Sequence, residues 1–420
     1  MPDKFVIKGG RSLEGVVEIS GYKNSAGACL AATLLTDEEV ILDNLPLVKD
    51  IFNMIEILKG MGAEIDFLEE RKIRVKTKNI NPQKMDFKRI PKTRISVLLI
   101  GSLLSKFKEF RISHPGGDRI GLRPITTHLN ALKKLGAVVE NEGDFYFFRA
   151  ENLKGKEIVL KEFSVTATEN LMLASALAPG KTIIKGAAAE PQVQDLGEFL
   201  KKMGAKIEGL GTHTIYIRGV KKLEGASHKI IPDPTEAGTF IVAGAVTPGE
   251  IEIKNIIPEH LDMFFDKLEE IGVDFEKGED FVKVGDLSQN LRATRVQALP
   301  FPGFPTDLLP ITVPILTQAK GKSLIHDPLY ENRFNYVQEL KKMGADIEIV
   351  DPHRTFVYGK TPLHGVRIES WDIRAGASLI IAALLARGQT TIEGVYQINR
   401  GYEKIDEKLQ KLGADIKRVH

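Results

Sequence analysis

The stretch Leu58-Lys59-Gly60-Met61-Gly62-Ala63-Glu64-Ile65 has five further copies in the chain and decides how the fold is organised. A helix with a basic last turn, a left-handed glycine just beyond it and an alternating strand would together produce this pattern. Successive copies lie about seventy residues apart, which is longer than the repeats of ordinary solenoid proteins. Each copy therefore indicates a sizeable unit of helices and strands. The predicted helix-ending glycines are Gly62, Gly136, Gly204, Gly272, Gly344 and Gly413.

A second repeated element, rich in Ala, Gly, Ser and short aliphatic residues, lies between these copies. Because its segments are apolar nearly all round, we expect buried helices. Six such units most simply form two domains of three, with apolar helices inside and strands outside, and hence an α/β (α+β) fold. We expect the boundary near Pro232-Asp233-Pro234, and we expect the first strand, Lys4–Lys8, not to belong with the domain that follows it. The six segments are residues 25–35, 95–104, 168–178, 238–246, 308–318 and 375–386.

Composition is that of an ordinary globular protein, with 420 residues, 43% hydrophobic and 27% charged. A net charge of +2 provides no global field that would recruit nucleic acid or a membrane surface. The amino terminus lacks a charged-then-apolar leader, and the longest apolar run, residues 377–386, is far shorter than the ~18 residues of a spanning helix. We therefore expect a cytoplasmic protein.

The single cysteine, Cys29, lies in the apolar stretch of residues 26–32. A buried structural thiol is the favoured interpretation there, rather than a nucleophile. The nine histidines show no spacing typical of metal ligands. We therefore expect no metal site.

The loop from His114 to Pro124 contains three glycines, two prolines, one acid and two arginines between a predicted strand and a predicted helix. Glycine permits positive φ and close approach to a ligand, and Pro124 suits the first turn of the following helix. A cation such as Arg123 at a helix start is unfavourable unless an anion lies opposite. We interpret the segment as a reactive loop. The alternative is a tight surface turn in which Arg123 pairs with Asp118.

Six cations precede predicted helices, although the positive end of the helix dipole disfavours them there. If equivalent ends of the repeats converge, these cations surround a cleft for a ligand with several phosphate or carboxylate groups. Local ion pairs such as Glu331 with Arg333 are the alternative. The six are Lys23, followed by Asn24, then Arg94, Arg123, Arg333, Arg374, preceded by Asp372, and Arg400.

Three carboxylates lie where a strand leads into a helix, namely Glu190, Asp233 and Asp307. For Asp307, spacing alone favours an N-cap or a first-turn acid. Glu190 and Asp233 fit either a cap or a ligand-binding residue. The chain has neither a Walker motif nor a complete Gly-x-Gly-x-x-Gly.

Over essentially its whole length the chain resembles the enolpyruvyl transferases, in particular the branch that acts on UDP-N-acetylglucosamine. The resemblance implies two inside-out α/β barrel domains, each of three repeats with buried helices and outer sheets. It assigns residues 1–21 and 232–420 to one domain and residues 22–231, with the loop, to the other, and it implies an active site in the cleft between them. The matching motifs are Ser20-Gly21-Tyr22-Lys23-Asn24, Pro115-Gly116-Gly117, Ile120-Gly121-Leu122-Arg123-Pro124, Phe304-Pro305-Thr306-Asp307, Glu331-Asn332-Arg333-Phe334, Asp372-Ile373-Arg374-Ala375 and Arg400-Gly401-Tyr402-Glu403.

The implied reaction moves the enolpyruvyl group of phosphoenolpyruvate to the 3′-hydroxyl of UDP-N-acetylglucosamine and releases phosphate, without cofactor or metal. This is the first committed step of bacterial peptidoglycan synthesis. By resemblance, Asp307 acts at the sugar hydroxyl, and Lys23, Arg123 and Arg400 hold the phosphate. Arg333 and Arg374 fix the carboxylate. The further implied contacts are Asn24, Arg94, Pro124, Ser164, Val165, Leu329 and Asp372.

The chain departs from the family pattern at several positions. Asp118 stands where most members carry the cysteine that fosfomycin alkylates, so we expect Asp118 to protonate C3 or to assist phosphate departure, and the enzyme to resist fosfomycin. Glu162 replaces a frequent lysine, Thr126 replaces an acid near the uracil, and Pro234 replaces an arginine of some relatives. These three changes fall at positions where relatives contact the nucleotide.

Two alternatives remain open at this point. The branch that acts on shikimate 3-phosphate shares donor and chemistry, but its first loop normally carries Gly-Ser-Lys-Ser where this chain has Gly21-Tyr22-Lys23-Asn24. A non-catalytic repeat scaffold with a basic cleft for an anionic partner is the second alternative.

Overall fold

A computed structural model describes residues 3–118, 120–150, 153–285 and 290–420. The chain consists of two compact units. Unit 1 comprises Met1–Ser20, Asp118–Leu122 and Pro232–His420, and unit 2 comprises Gly21–Gly117 and Arg123–Ile231. The sequence assigned the whole 114–124 loop to the second domain, whereas its tip groups with unit 1.

The helices come from segments with two different apolar patterns. The α-helices in the described parts of the chain are α1 (Lys23–Ala32), α2 (Lys49–Met61), α3 (Leu99–Lys106), α4 (Thr126–Leu135), α5 (Val165–Ser175), α6 (Pro191–Lys202), α7 (Pro234–Val246), α8 (Asp262–Ile271), α9 (Leu309–Leu316), α10 (Val337–Lys342), α11 (Ile373–Leu385), α12 (Val395–Ile398) and α13 (Ile405–Lys411). Short 3₁₀ helices span Thr33–Leu35, Pro82–Lys84, Ile90–Lys92, Arg94–Leu98, Pro258–Leu261 and Thr306–Leu308. None of the helices in these ranges is long and apolar enough to cross a bilayer.

The strands are short, and many alternate buried with exposed side chains, as sheets with one covered face do. They are β1 (Lys4–Lys8), β2 (Gly15–Glu18), β3 (Val40–Asp43), β4 (Glu64–Glu69), β5 (Lys72–Lys76), β6 (Glu109–Ser113), β7 (Val138–Glu142), β8 (Phe145–Arg149), β9 (Glu157–Val159), β10 (Lys181–Lys185), β11 (Lys206–Glu208), β12 (Thr214–Arg218), β13 (Ser227–Lys229), β14 (Glu250–Lys254), β15 (Phe275–Lys277), β16 (Phe281–Gly285), β17 (Arg295–Gln297), β18 (Gly321–His326), β19 (Asp346–Asp351), β20 (Arg354–Gly359), β21 (Arg367–Glu369), β22 (Gln389–Glu393) and β23 (Asp415–Val419).

In unit 1 the three apolar helices α7, α9 and α11 pack against one another. Nearly all of their residues are buried and belong to a single hydrophobic core. Three sheets belong to this unit, with strand orders β21-β22-β1-β23, β15-β16-β14-β2 and β17-β18-β20-β19. Strand β1 pairs antiparallel with β22 and β23, so the start of the chain joins its end in one sheet.

In unit 2 the apolar helices α1, α3 and α5 occupy the equivalent place, with α3 packed against both α1 and α5. Their buried residues form a second core. The sheets of this unit have strand orders β13-β3-β5-β4, β11-β12-β10-β9 and β6-β8-β7. The predicted α/β fold with buried helices and outer sheets is thereby confirmed.

The six glycines of the repeated phrase all adopt positive φ, as predicted. Without a Cβ they enter the left-handed region at little cost and turn each amphipathic helix into the next strand. In α2, for example, the Gly62 amide donates to Lys59 O, and the Ala63 amide donates to Leu58 O. The φ angles are 109° at Gly62, 117° at Gly136, 101° at Gly204, 93° at Gly272, 100° at Gly344 and 99° at Gly413.

Candidate active site

Asp307 lies between two arginines of unit 1. It belongs to the 3₁₀ turn Thr306–Leu308 that leads into α9. Its Oδ1 accepts a hydrogen bond from Arg333 Nη2 at 2.5 Å, and its Oδ2 accepts one from Arg374 Nε at 3.0 Å. Both arginine side chains are almost fully buried, whereas the Asp307 side chain is 30% exposed. One carboxylate thus bridges two buried cations and remains open to solvent on one side.

The arginines determine the charge state of Asp307. Removal from water alone would raise the pKa of its carboxyl, but Arg374 and Arg333 together hold that pKa well below its usual range. Burial would likewise lower the pKa of Arg333, but Asp307, Asp372 and Asp327 raise it. The Asp307 cluster (Asp307, Arg333 and Arg374) is therefore ionised at neutral pH. Spacing favoured a first-turn acid at Asp307, and the residue does lie in a first turn while it binds both cations.

Asp372 is the N-cap of α11. Its Oδ1 accepts hydrogen bonds from the backbone amides of Arg374 at 2.9 Å and Ala375 at 2.8 Å. Its Oδ2 accepts from Asn335 Nδ2 at 2.9 Å. Burial raises the pKa of Asp372, with Arg333 acting in the opposite direction. Asp372 therefore fixes the start of the helix that carries Arg374.

The loop tip is attached to two places in unit 1. Asp118 Oδ1 lies 2.5 Å from Arg400 Nη1. The Leu122 amide donates to Glu331 Oε1 at 2.8 Å, and the Asn332 amide donates to the carbonyl oxygen of Ile120 at 3.1 Å. The acid at the usual cysteine position therefore contacts an arginine 282 positions away, a contact that no local pattern predicts.

Asp233 in unit 1 is a helix cap. Its Oδ1 accepts from the amides of Thr235 at 2.8 Å and Glu236 at 3.2 Å at the start of α7, whose first residue is Pro234. Burial raises the pKa of Asp233 to about 6, although Arg374 opposes the shift. Glu190 holds the corresponding position before α6 in unit 2, without a side-chain capping bond.

In unit 2 the expected phosphate ligand Lys23 forms a buried ion pair. Its Nζ donates to Asp50 Oδ2 at 3.0 Å, and both side chains are nearly inaccessible. Lys23 and Asn24 were expected to precede a helix, but they form the first turn of α1. Asp50, which lies in the first turn of α2, compensates the charge of Lys23 there.

Arg94 and Arg123 lie beside the backbone of Gly117. A Cβ at Gly117, whose φ is 128°, would come within 2.9 Å of Arg94 Cβ and 3.1 Å of Arg123 Nη1, so this position needs glycine. The expectation that Arg123 and Pro124 start the next helix is wrong, because α4 begins at Thr126. Arg123 itself has φ 47°, which is not a right-handed helical angle.

The start of α5 is built from polar contacts. Ser164 is its N-cap, with Oγ accepting from the Ala167 amide at 3.4 Å, and Val165 is the first helical residue. His128 on α4 places Nε2 2.8 Å from Thr166 Oγ1. Burial lowers the pKa of His128 to about 3, and Arg94 adds to this effect, so the imidazole is neutral.

Glu162, the departure from the family lysine, accepts a hydrogen bond from Thr127 Oγ1 at 2.6 Å. Thr127 directly follows Thr126, the other departure in this part of unit 2. Both substitutions therefore lie close together. Leu329, expected to be a substrate contact, is 43% exposed in unit 1.

Cys29, Asp195 and His228 offer ligand atoms that lie within 4.8 Å of one another in the core of unit 2. Hydrogen bonds already occupy these groups: His228 Nε2 lies 2.9 Å from Asp195 Oδ1, and Lys202 Nζ lies 3.1 Å from His228 Nδ1. Burial, together with Asp195, raises the pKa of the Cys29 thiol well above its ordinary value. The neighbouring lysine ammonium and the protonated thiol suit a buried polar network better than a cation site.

Sequence reasoning missed Asp50, Asn335 and His128. Asp50 and Asn335 bind expected site residues from distant parts of the chain. His128 was detectable only as a polar residue on the buried face of an amphipathic helix, a position at which no charge pattern attracts attention.

Comparison with known proteins identifies the family of this chain. The family model described as EPSP synthase (3-phosphoshikimate 1-carboxyvinyltransferase) matches residues 7–409. A UDP-N-acetylglucosamine 1-carboxyvinyltransferase from Koribacter versatilis (strain Ellin345) is 46% identical over 99% of this chain and 96% of its own length. The chain belongs to the enolpyruvyl transferase family. The family resemblance seen in the sequence motifs is confirmed.

Other members of the enolpyruvyl transferase family extend the match. A UDP-N-acetylglucosamine 1-carboxyvinyltransferase 1 from Carboxydothermus hydrogenoformans is 44% identical over 100% of this chain and 99% of its own. The crystal structure of the enolpyruvyl transferase NikO from Streptomyces tendae superposes with a TM-score of 0.91 at 26% identity, covering 100% of this chain and 99% of that one. The full-length similarity to relatives named as carboxyvinyltransferases sets aside the alternative of a non-catalytic scaffold.

Proposed function

We propose that this enolpyruvyl transferase moves the enolpyruvyl group of phosphoenolpyruvate to the 3′-hydroxyl of UDP-N-acetylglucosamine, the first committed step of peptidoglycan synthesis. The observation that carries the proposal is the full-length identity of 46% to a relative whose name states this acceptor. The Asp307 cluster supports the proposal, because it supplies an ionised base and two arginines in one place.

The reaction has two steps. In the addition, a proton adds to C3 of phosphoenolpyruvate, the sugar oxygen bonds to C2, and the hydroxyl proton passes to a base. In the elimination, C3 loses a proton and the C2–O bond to phosphate breaks, which leaves the enol ether and inorganic phosphate. The protein supplies proton transfer, positioning and charge stabilisation at each step.

In unit 1 the proposal assigns the 3′-hydroxyl to Asp307, the phosphoenolpyruvate carboxylate to Arg333 and Arg374, and the phosphate to Arg400. Asp307 is a weak base while both arginines hold it. A substrate carboxylate that engages those arginines would draw them from Asp307 and raise its basicity. Leu329 and Asp372 complete the assignment as sugar contact and polar lining.

In unit 2 the proposal assigns the phosphate to Lys23 and Arg123, with Asn24 and Arg94 in the same lining. Lys23 Nζ is held by Asp50. The nucleotide is assigned to Pro124, Ser164 and Val165. The positive end of the helix dipole at the start of α5 suits a diphosphate.

The test is release of phosphate from phosphoenolpyruvate with UDP-N-acetylglucosamine as acceptor, compared with shikimate 3-phosphate as acceptor. The proposal expects turnover with the sugar nucleotide only. Turnover with shikimate 3-phosphate would instead assign the chain to the other branch, and absence of turnover with both acceptors would refute enolpyruvyl transfer to either.

We further propose that Asp118 protonates C3 or assists phosphate departure, and that the protein therefore resists fosfomycin. A carboxylate is a poor match for the alkylation that a thiolate undergoes. In this structure Asp118 contacts Arg400, so a substrate phosphate at Arg400 would displace it toward the reacting atoms.

Two variants of Asp118 test this role. Asp118→Ala should lower kcat about 100-fold, within the range for loss of a general acid. Asp118→Cys should retain turnover and become sensitive to fosfomycin, measured as time-dependent inactivation. Inactivation of the unmodified protein by fosfomycin would contradict the assignment.

The proposed partners are the two small-molecule substrates, with no nucleic acid, membrane, metal or cofactor required. Both substrates are multiply charged metabolites that do not cross a bilayer unaided, so the proposal places the reaction in the cytoplasm. Full turnover after treatment with a metal chelator is the expected outcome.

A further inference from the structure

Asp327 follows strand β18 in unit 1 and is completely buried. Its carboxylate accepts three hydrogen bonds. Oδ2 accepts from Thr306 Oγ1 at 2.7 Å, and Oδ1 accepts from the amides of Leu329 at 2.9 Å and Tyr330 at 3.3 Å. None of the sequence patterns described above indicates this residue.

Two of these contacts lead to segments of the proposed site. Thr306 directly precedes Asp307 in the 3₁₀ turn. Leu329 is the proposed sugar contact, and its amide is bound by Asp327. One buried carboxylate therefore connects two separate site segments.

Asp327 also faces Arg333, one of the two arginines of the Asp307 cluster. Arg333 Nε lies 3.9 Å from Asp327 Oδ2 and has no hydrogen-bond partner among the described residues. Nη2 of the same guanidinium donates to Thr306 O at 3.1 Å and to Asp307 Oδ1 at 2.5 Å. Two carboxylates thus face this planar guanidinium, and its orientation depends on both.

We propose that Asp327 is a positioning residue for enolpyruvyl transfer, which fixes Arg333, the Asp307 turn and the Leu329 turn relative to one another without touching the substrates. This inference rests on the proposed function. The physical basis is that a carboxylate with no exposure is costly unless its oxygens are bonded and a cation lies near. Asp327 meets both conditions only with groups that belong to the site segments.

The backbone of Asp327 adds rigidity to this arrangement. Its amide donates to His353 O at 2.8 Å, and its carbonyl oxygen lies 2.7 Å from His353 Nδ1. His353 sits in the turn between β19 and β20 of the same sheet. The side chain therefore projects from an anchored backbone, as a residue that sets the position of others must.

The experiment compares steady-state kinetics, corrected for folded protein, of Asp327→Asn, Asp327→Ala and Thr306→Ala. Asp327→Asn can keep the bonds to the 329–330 turn and removes the charge that faces Arg333. We expect its kcat to fall about 10- to 100-fold with little change in KM, because small displacements at a reacting centre cost this much. Asp327→Ala should in addition raise the KM for UDP-N-acetylglucosamine, since the Leu329 turn loses both of its bonds.

Asp351→Asn is the matched control. Asp351 ends β19, another strand of the same sheet, and its Oδ1 accepts from the amide two residues later, as in Asp327, but it bonds to His353 and Arg354. The kcat and KM of the Asp351→Asn variant should equal those of the unmodified protein. In a double-mutant cycle, Asp327→Asn and Thr306→Ala should be non-additive in kcat, because both act through Asp307.

Three results would overturn the positioning role in an active protein. These are a kcat of Asp327→Asn within about twofold of the unmodified protein, a loss that follows the unfolded fraction alone, and full additivity with Thr306→Ala. If the unmodified protein releases no phosphate with either acceptor, the proposed function fails first, and the positioning role falls with it.

Discussion

Burial has opposite consequences in two regions of the molecule. In the Asp307 cluster of unit 1, two arginines keep a carboxylate ionised despite its removal from water. In the α4–α5 region of unit 2, burial lowers the pKa of His128 to about 3. Burial, with a contribution from Glu190, raises the pKa of Glu169 well above its usual range. The first region therefore contains charged groups and the second contains neutral ones.

The neighbours of each group account for this difference. Asp307 bonds to two guanidinium groups, whereas Glu169 Oε1 has no hydrogen-bond partner within the described residues. A buried carboxylate stays ionised only when its interaction with a cation offsets the hydration free energy that it loses. The ionised groups of the Asp307 cluster can thus take part in chemistry, whereas the protonated Glu169 side chain packs as a neutral group. Replacing an ionisable side chain with an amide should therefore have opposite effects in the two regions.

The largest effect is expected for Asp307→Asn. The amide keeps the shape but cannot accept the hydroxyl proton, and it leaves two buried arginines with less counter-charge. We expect kcat for phosphate release to fall about 1,000-fold, within the range for loss of a general base. Asp351→Asn, which alters a surface pair with Arg354, should leave kcat unchanged. Equal kcat values in the two variants would contradict the role of Asp307.

Glu169→Gln should have the opposite effect. It should raise the free energy of unfolding relative to the unmodified protein, and this gain should grow as pH rises. Because the folded pKa of Glu169 lies above the unfolded one, the folded state retains a proton that the unfolded state loses, and stability declines with pH above about 4.5. Through Glu169 the free energy of unfolding falls by about 1.4 kcal/mol per pH unit. The glutamine variant lacks this dependence.

Urea unfolding at pH 5, 6.5 and 8 measures this difference. The gain of Glu169→Gln over the unmodified protein should grow at each step. Glu157→Gln, which removes an exposed partner of Lys185, should shift stability by the same small amount at every pH. A constant difference for Glu169→Gln would show that Glu169 is ionised in the folded state.

His128→Gln tests the α4–α5 region from the acidic side. The folded pKa of about 3 lies below the ordinary 6.5, so the unfolded state binds an extra proton between these values and stability falls as pH drops below about 6.5. From pH 7.5 to 5 the unmodified protein should lose about 2 kcal/mol through this group. The variant should lack that loss, as judged by urea unfolding, whereas His420→Gln, at a site 80% exposed, should retain it.

The smallest effect is expected for Ser164→Ala. This change removes the N-cap of α5 without altering any charge, and it should cost about 0.5–1 kcal/mol of unfolding free energy. Thermal unfolding measures it, and Ser164→Asn should restore most of the loss. A cost well above 2 kcal/mol would mean that Ser164 does more than cap the helix.

Much of the fold follows from local pattern. The six glycines and the apolar segments are periodic along the chain, so both the helix ends and the buried helices were predictable. The starts of helices were less predictable. At Arg123 the backbone adopts a left-handed angle, and α4 begins only at Thr126. A single unusual φ leaves no trace in hydrophobic periodicity.

The candidate site was predictable in its residue types but not in its contacts. The cations at the repeat corners could be identified from their unfavourable positions near helix starts. Their partners could not, because Arg374 is 67 positions from Asp307 and Arg400 is 282 from Asp118. Asp327 has no distinguishing neighbour in sequence, and its importance appears only when the Thr306 turn folds against the segment from Asp327 to Arg333.

The lone thiol of this chain is also a reporter. Cys29 is the single cysteine, it has no exposed surface, and it belongs to the core of unit 2. A thiol reagent can therefore modify the protein only when that core opens, and no other residue competes for the label. The rate of labelling would therefore report how often the core of unit 2 opens. Mass spectrometry of the labelled protein can follow how substrates change that opening rate.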